Sequence, residues 1–251
     1  MEAVDATTRI AVSARRAAST TGDGAQHLGC VVGSAGSRRV VWIRGGVRHE
    51  PIKDEGEAWL RAPSDELMDA PRGLSDDVAV LCDDAAVAIA AAKAVLDLQA
   101  DRVAVVTTVK TRTIASFLVK YLDQREESAP NQHLMPAIVV STDEIKAAST
   151  ISQGSGVKDQ GKPRFDCCVD LACSESSLTY ATSHLEPLGS IVLLSGERVK
   201  EEAESTTKTI PIDMNTVVVN ELSVRFVAEY TTEGPTALAF LASALREDIT
   251  M

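Results

Sequence analysis

Two adjacent carboxylates, Asp83 and Asp84, stand at the head of a run of helix formers, DAAVAIAAAKAVLDLQA. Side by side and partly buried, such a pair can give and take protons, because burial and nearby charge shift carboxylate pKa values. In the first turn of a helix the same two residues complement the dipole and need no further task. A second pair, Ser174 and Glu175, follows the strand-like run FDCCVDL. The carboxyl end of a parallel strand is the edge where such sheets hold ligands. Ser195 ends the run SIVLL in the same way. A third group is the stretch Thr107-Thr108-Val109-Lys110-Thr111-Arg112-Thr113. Lys110 and Arg112 can attract a phosphate there, or simply face water. His184 reads as a capping or surface histidine, Tyr180 as packing, and His27 and His49 as weaker candidates in the N-terminal segment.

The cysteines offer less. Cys30, Cys82, Cys167, Cys168 and Cys173 are an odd number in a large, core-rich chain, which points to reduced intracellular thiols. Cys167 and Cys168 are neighbours in an apparent strand, so their side chains face opposite ways. With Cys173 and His184 they make a poor zinc set, and small buried apolar side chains are the better reading. The sequence predicts no metal site, no nucleophile elbow and no phosphate-binding P-loop.

The element that must position the third group is residues 101–122, DRVAVVTTVKTRTIASFLVKYL. Val103–Val106 is a short β-rich run. Ile114, Phe117, Leu118, Tyr121 and Leu122 then recur at helical spacing. A buried parallel strand feeding a helix is the natural outcome. In a nucleotide-binding α/β fold this first unit holds the pyrophosphate at the helix N-terminus, and glycines let the backbone approach it. Here the turn contains no glycine.

Further strands are predicted at Ala137–Val140, Phe165–Leu171, Ser190–Leu194 and Ser223–Val227. Helices fall at Glu144–Ala148, Ser176–His184 and Gly234–Arg246, with Val217–Leu222 helical or irregular. Pro187-Leu188-Gly189 reads as a turn, and Ser152–Pro163 and Glu197–Thr209 as loops. Strands alternating with helices specify an α/β fold with a doubly wound, Rossmann-like parallel sheet. Upstream, Ile10–Val12, Val40–Ile43 and Glu57–Arg61 are short β-runs, and Ser75 is a helix N-cap. The expected division is a small β-rich segment over 1–75 and the nucleotide-binding-type domain over 76–251.

The bulk composition narrows the partners. The chain has 251 residues, 45% apolar and 4% aromatic, with a net charge of −11. Phosphate binding along a nucleic acid needs a basic face, so nucleic acid is excluded as a partner. No stretch approaches the roughly 20 apolar residues of a membrane span, and the N-terminus lacks the apolar region of a signal peptide. A cytoplasmic protein is expected.

Several segments, taken in order, resemble the medium-chain dehydrogenase/reductase superfamily, in particular the enoyl-reductase-like branch of quinone reductases and reducing polyketide synthases. GEAWLRAPSDELMDAPRGLSDDVAVL (Gly56–Leu81) is similar to that family's approach to the nucleotide domain. Ala85–Leu96 follows its next helix, Asp101–Leu122 its nucleotide-binding unit, and FDCCVDLACSESSLTYATSHLEPLGSIVLLSG (Phe165–Gly196) its following strands. The resemblance implies a substrate-side β domain, here a remnant cut down at both ends. It places Asp83 and Asp84 in the cleft region. It places the family's glycines at Lys110, Thr111 and Thr113, where β-branched side chains resist the required backbone. Ser141, Thr142 and Lys146 sit where NADPH-using relatives hold the 2′-phosphate, although Ser-Thr-Asp-Glu is also a plain helix start.

From these residues the first expectation is a redox-inactive relative without a cofactor. It would act on a small apolar, polyketide-type intermediate by cyclisation, isomerisation or elimination, with Asp83, Asp84, Ser174 and Glu175 as catalytic candidates. The alternative is an NADPH-dependent enoyl or quinone reductase, with Lys110, Arg112, Thr113, Ser141 and Lys146 holding the nucleotide. A third is a non-catalytic binding partner of a larger synthase. The resemblance also implies a homodimer through the edge strand SVRFV (Ser223–Val227).

Overall fold

In a computed structural model of the chain the described residues are 7–17, 28–43, 59–128, 136–145, 164–194, 213–227 and 230–248. Two compact units are present: Met1–Ile89 with Glu229–Met251, and Ala90–Ala228.

The first unit carries an antiparallel sheet in the order β4-β1-β2-β3-β5. Its strands are β1 (Thr7–Ala17), β2 (Leu28–Ala35), β3 (Arg38–Ile43), β4 (Trp59–Pro63) and β5 (Met68–Asp69). The strand β2 is absent from the sequence expectations, because LGCVVGSA mixes apolar residues with two glycines and shows no clear period. One of those glycines is required. A Cβ on Gly33 would run into the Ala11 carbonyl of β1. The other turn residue, Gly36, adopts φ +62 between β2 and β3, a left-handed conformation that glycine allows at no steric cost. Ile10, Val31, Val40, Trp42 and Ala62 form the core on one face of this sheet.

Helices α1 (Asp76–Ala79), α2 (Cys82–Asp97) and α6 (Gly234–Asp248) follow. Ser75 occupies the N-cap of α1, but its side chain makes no capping bond and the helix stops after one turn. Arg39 instead pairs with Asp76 in that first turn, Nε to Oδ1 2.8 Å. Gly234 at the start of α6 lies against Met68 and Ile43, and its carbonyl accepts from the Cys82 thiol at 3.6 Å. The terminal helix therefore clusters with the antiparallel unit rather than with the sheet it follows in sequence.

The second unit is the doubly wound sheet. Its strands are β6 (Val103–Thr107), β7 (Ile138–Ser141), β8 (Phe165–Asp170), β9 (Leu185–Leu194) and β10 (Ser223–Val227). All pair in parallel, in the order β10-β9-β8-β6-β7. Helices α3 (Arg112–Ser128), α4 (Glu175–His184) and α5 (Met214–Val219) connect them. Every residue of β6 is buried, as a strand covered on both faces requires. Strand order reverses between β6 and β8, and the carboxyl ends flanking such a reversal form the ligand crevice of this architecture.

Two expectations change here. The Pro187-Leu188-Gly189 turn is a kink inside β9: Leu188 has φ +68 and donates its N–H to Asn220 O at 2.8 Å. Gly189 serves close approach, since a Cβ there would lie 2.8 Å from Glu186 O. The helix near Val217 is α5, started by Asp213, whose carboxylate accepts from Asn215 N and Thr216 N. Cys167 and Cys168 are both buried, on opposite faces of β8. Among the described residues no helix is long and apolar enough to cross a membrane.

Candidate functional site

The carboxyl edge of the parallel sheet is built from three strand ends. At the end of β6, Thr107 and Thr111 are buried and their hydroxyls lie 3.0 Å apart. Thr108 N–H donates to Thr111 Oγ1 at 3.0 Å, and Thr111 N–H donates to Thr108 Oγ1 at 3.3 Å. This reciprocal pairing is the geometry of a capping box. It closes the glycine-free turn on itself and satisfies two amides that a glycine loop would offer to a phosphate. What remains for an anion is cationic. Lys110 and Arg112 are exposed at the start of α3, and that first turn holds no acidic residue. The helices α2 and α4, by contrast, open with Asp83 and Asp84 and with Glu175. A guanidinium at the positive end of a helix dipole is unfavourable by itself; the Glu144 carboxylate lies close enough to Arg112 to relieve part of this, and an anion at the helix start would relieve more. Thr113 is half-buried in the same turn.

The end of β7 lies beside β6, with Thr107 and Ser141 in register. Ser141 N–H donates to Glu144 Oε2 at 2.8 Å, and Glu144 N–H donates to Ser141 Oγ at 3.2 Å. The Ser141 backbone and hydroxyl hold the Glu144 carboxyl below its usual range, with Arg112 adding a smaller pull. This corner thus carries a carboxylate as well as a serine. Lys146 lies outside the described residues, as do His27, His49 and Ser195. A groove of about 290 Å³ runs along α3 from Arg112 past Ala115 and Val119 to Lys120 and Asp123, with Val139 of β7 beside it.

The end of β8 is the most connected of the three. Asp170 is fully buried. Its Oδ1 accepts from Ala172 N at 2.9 Å and Cys173 N at 3.0 Å, and its Oδ2 accepts from Ser177 Oγ at 2.7 Å. Burial pushes the Asp170 carboxyl above its ordinary value, against the opposing pull of those three hydrogen bonds. Ser174 is the N-cap of α4 and shares a capping box with Ser177. Glu175 is exposed in the first turn. Cys173, half-buried, has its thiol pushed up to about 12, chiefly by burial. His184 and Tyr180 stack on each other at 4.1 Å at the far end of α4.

Sequence reading nominated Ser174 and Glu175 here but passed over Asp170. The available signal was an acid closing an apolar strand and followed by two serines at capping spacing. The three strand ends bring Lys110, Arg112, Thr113, Ser141, Ser174 and Glu175 onto one edge of one sheet. Asp83 and Asp84 belong to the first unit, both buried at the start of α2. Cys30 and Cys82 lie close to Asp83, and burial raises both thiols. Among the described residues no group of three histidine, cysteine or acidic side chains is placed to hold a metal ion.

A parallel sheet with a strand-order reversal and a separate antiparallel unit is a fold also found among two-unit dehydrogenases of known structure. More particularly, the chain has the fold of the medium-chain dehydrogenases and reductases. No family model matches it, and no curated protein does. Solved structures do. A short chain alcohol dehydrogenase from Escherichia coli CFT073, complexed with NADH, is 17% identical with a TM-score of 0.60, over 98% of this chain and 82% of that one. L-idonate 5-dehydrogenase from E. coli K-12 is 17% identical with a TM-score of 0.61, over 96% and 81%. The quinone oxidoreductase of Thermus thermophilus, solved also with NADPH, is 15% identical with a TM-score of 0.54, over 96% and 79%.

These neighbours correct one expectation. A chain without a cofactor was inferred from the missing glycines, yet the proteins that share this fold hold NADH or NADPH. The inference weighed one turn too heavily, because the sheet, its reversal point and the cationic start of α3 are all retained. The neighbours likewise support an oxidoreductase fold and lend nothing to cyclisation, isomerisation or elimination.

Proposed function

We propose that the protein is a nicotinamide-nucleotide-dependent oxidoreductase of the enoyl- or quinone-reductase type, acting on a small, largely apolar acceptor. The observation that carries this reading is the start of α3. It places Lys110 and Arg112 at the reversal point of a sheet whose structural neighbours are solved with such nucleotides. Lys110, Arg112 and Thr113 would take the diphosphate through side-chain charge and hydroxyl rather than through glycine amides. Ser141 and Glu144, at the end of β7, would meet the adenosine ribose, with Lys146 as a further candidate. Ser174 and Glu175 supply polar groups on the β8 side. When bound, the nicotinamide supplies a hydride to the acceptor.

The test is a titration of the purified protein with NADPH and with NADH, following nicotinamide fluorescence. Saturable binding of at least one is expected, weakening steeply with salt because side-chain cations dominate. The double substitution K110E/R112E should lower the affinity by about tenfold or more, since two charges reverse beside the diphosphate. Absence of saturable binding of both nucleotides at low salt would refute the proposal.

A further inference from the structure

Cys173 sits at the carboxyl edge of the sheet with φ +46. That left-handed conformation is ordinary for glycine and unfavourable for a side chain such as cysteine. Strained backbone of this kind persists only where its surroundings over-determine it, and it concentrates where ligands are clamped. Here the over-determination has one centre. The buried Asp170 carboxylate receives the amides of Ala172 and Cys173 on one oxygen and the Ser177 hydroxyl on the other. Ser177 in turn completes the capping box that starts α4. The Cys173 thiol donates to Asp170 O at 3.6 Å and to Leu194 O at 3.9 Å, adding the end of β9. A single side chain thus joins strand β8, the strained turn and the next helix.

The strand order says what this turn would face. A dinucleotide lies across the reversal point with its diphosphate at the helix start. If the diphosphate is at the β6–α3 turn and the adenosine lies toward β7, the nicotinamide half extends toward β8. This step rests on the nucleotide reading above. We propose that Asp170 is a positioning residue, whose carboxylate locks the turn Leu171–Ser174 into the left-handed shape on which the nicotinamide half of the nucleotide rests. A glycine at position 173 would reach that shape without a clamp. The chain has a cysteine there and holds it from beneath.

The experiment compares wild-type protein with D170N and with D170N/C173G. It reads nicotinamide-nucleotide affinity by fluorescence and amide exchange at residues 171–174. In D170N one oxygen becomes an NH2 that donates and cannot accept, so the carboxamide can no longer receive the two amides and the Ser177 hydroxyl together; the affinity should fall about tenfold while the Ala172 and Cys173 amides exchange faster. Adding C173G should recover most of that affinity, because glycine takes φ > 0 freely. If D170N fails to fold, S177A removes the Oδ2 partner together with the side-chain half of the α4 capping box and should cost about threefold in affinity. A D170N protein with a lower Tm and an unchanged affinity overturns the inference. So does a double variant that regains nothing. Wild-type protein that binds neither NADH nor NADPH overturns the nucleotide reading with it, whereas wild-type binding with D170N unchanged overturns this inference alone.

Discussion

Glu144 shows how a single side chain can set a preference at this edge. Its carboxylate is held by the Ser141 amide at the end of β7 and stays ionised well into the acid range. A phosphate on the ribose would meet that charge, whereas a ribose hydroxyl would donate to it. Substituting E144Q removes the charge and keeps the shape. The affinity ratio of NADPH to NADH should rise about fivefold at low salt, the size of one screened charge at near contact. Competition titrations on the two proteins would measure it. A ratio that does not move would place the 2′ position of the ribose away from Glu144. The buried threonines work the other way, toward rigidity. Thr107, Thr108 and Thr111 satisfy one another, so the turn holds its form whether or not an anion is present.

Among the elements, β10 and α5 leave the largest unexplained surface. Met214, Val218 and Val219 of α5 are exposed, Val219 by 80%, and so are Leu188 of β9 and Phe226 of β10, the last by 63%. Leu188 is bonded to the end of α5, and β10 is the outermost strand of its sheet among the described residues. An apolar group beside an open strand edge marks an interaction surface. We propose that a second copy covers it through a two-fold axis, since an isologous contact lets one patch serve both partners. F226E with V218E should convert a dimer into a monomer in sedimentation velocity without lowering the Tm by more than a few degrees. A wild-type chain that sediments as a monomer at tens of micromolar would remove the idea.

At this same scale the sequence was legible wherever burial imposed a period. The run through Val103–Val106 and the helical spacing from Ile114 to Leu122 give β6 and the start of α3 within a residue or two, although α3 continues to Ser128. It was illegible where tertiary contact replaced pattern. The strand β2 is held by Gly33 passing beneath β1, which no local rule encodes. The kink in β9 looks like a turn because its residues are turn formers, yet β8 pairs with β9 on both sides of it, at Leu185 and again from Ser190. The site was half legible. Lys110, Arg112, Ser174 and Glu175 could be nominated from strand ends, but Asp170 draws its meaning from the amides it collects in space. The missing glycines misled because a loop's chemistry was allowed to outvote a whole sheet.

On the scale of the whole molecule, the first unit is assembled from both ends of the chain, Met1–Ile89 and Glu229–Met251. Its closing piece is α6, seated by Gly234 against Met68 and Ile43. An added Cβ would meet the ends of the Met68 and Ile43 side chains, which must shift to admit it, so G234V should destabilise the protein by about 1 kcal/mol, the low end of the cost of overpacking. Urea denaturation would read this as a lower midpoint at unchanged slope. An unchanged midpoint would mean that α6 is not closing the antiparallel unit as described.

The discontinuity has a temporal side. A chain made from its N-terminus brings all of Ala90–Ala228 out of the ribosome before the residues of α6 emerge. Domains fold as units as they emerge, so the later-encoded parallel sheet can finish first while the earlier-encoded strands wait. During that interval Ile43 and Met68 stand without the helix that covers them. A released chain truncated just before Gly234 should accordingly show a protease-resistant core over the parallel sheet and cleavable N-terminal strands, whereas the full chain should protect both.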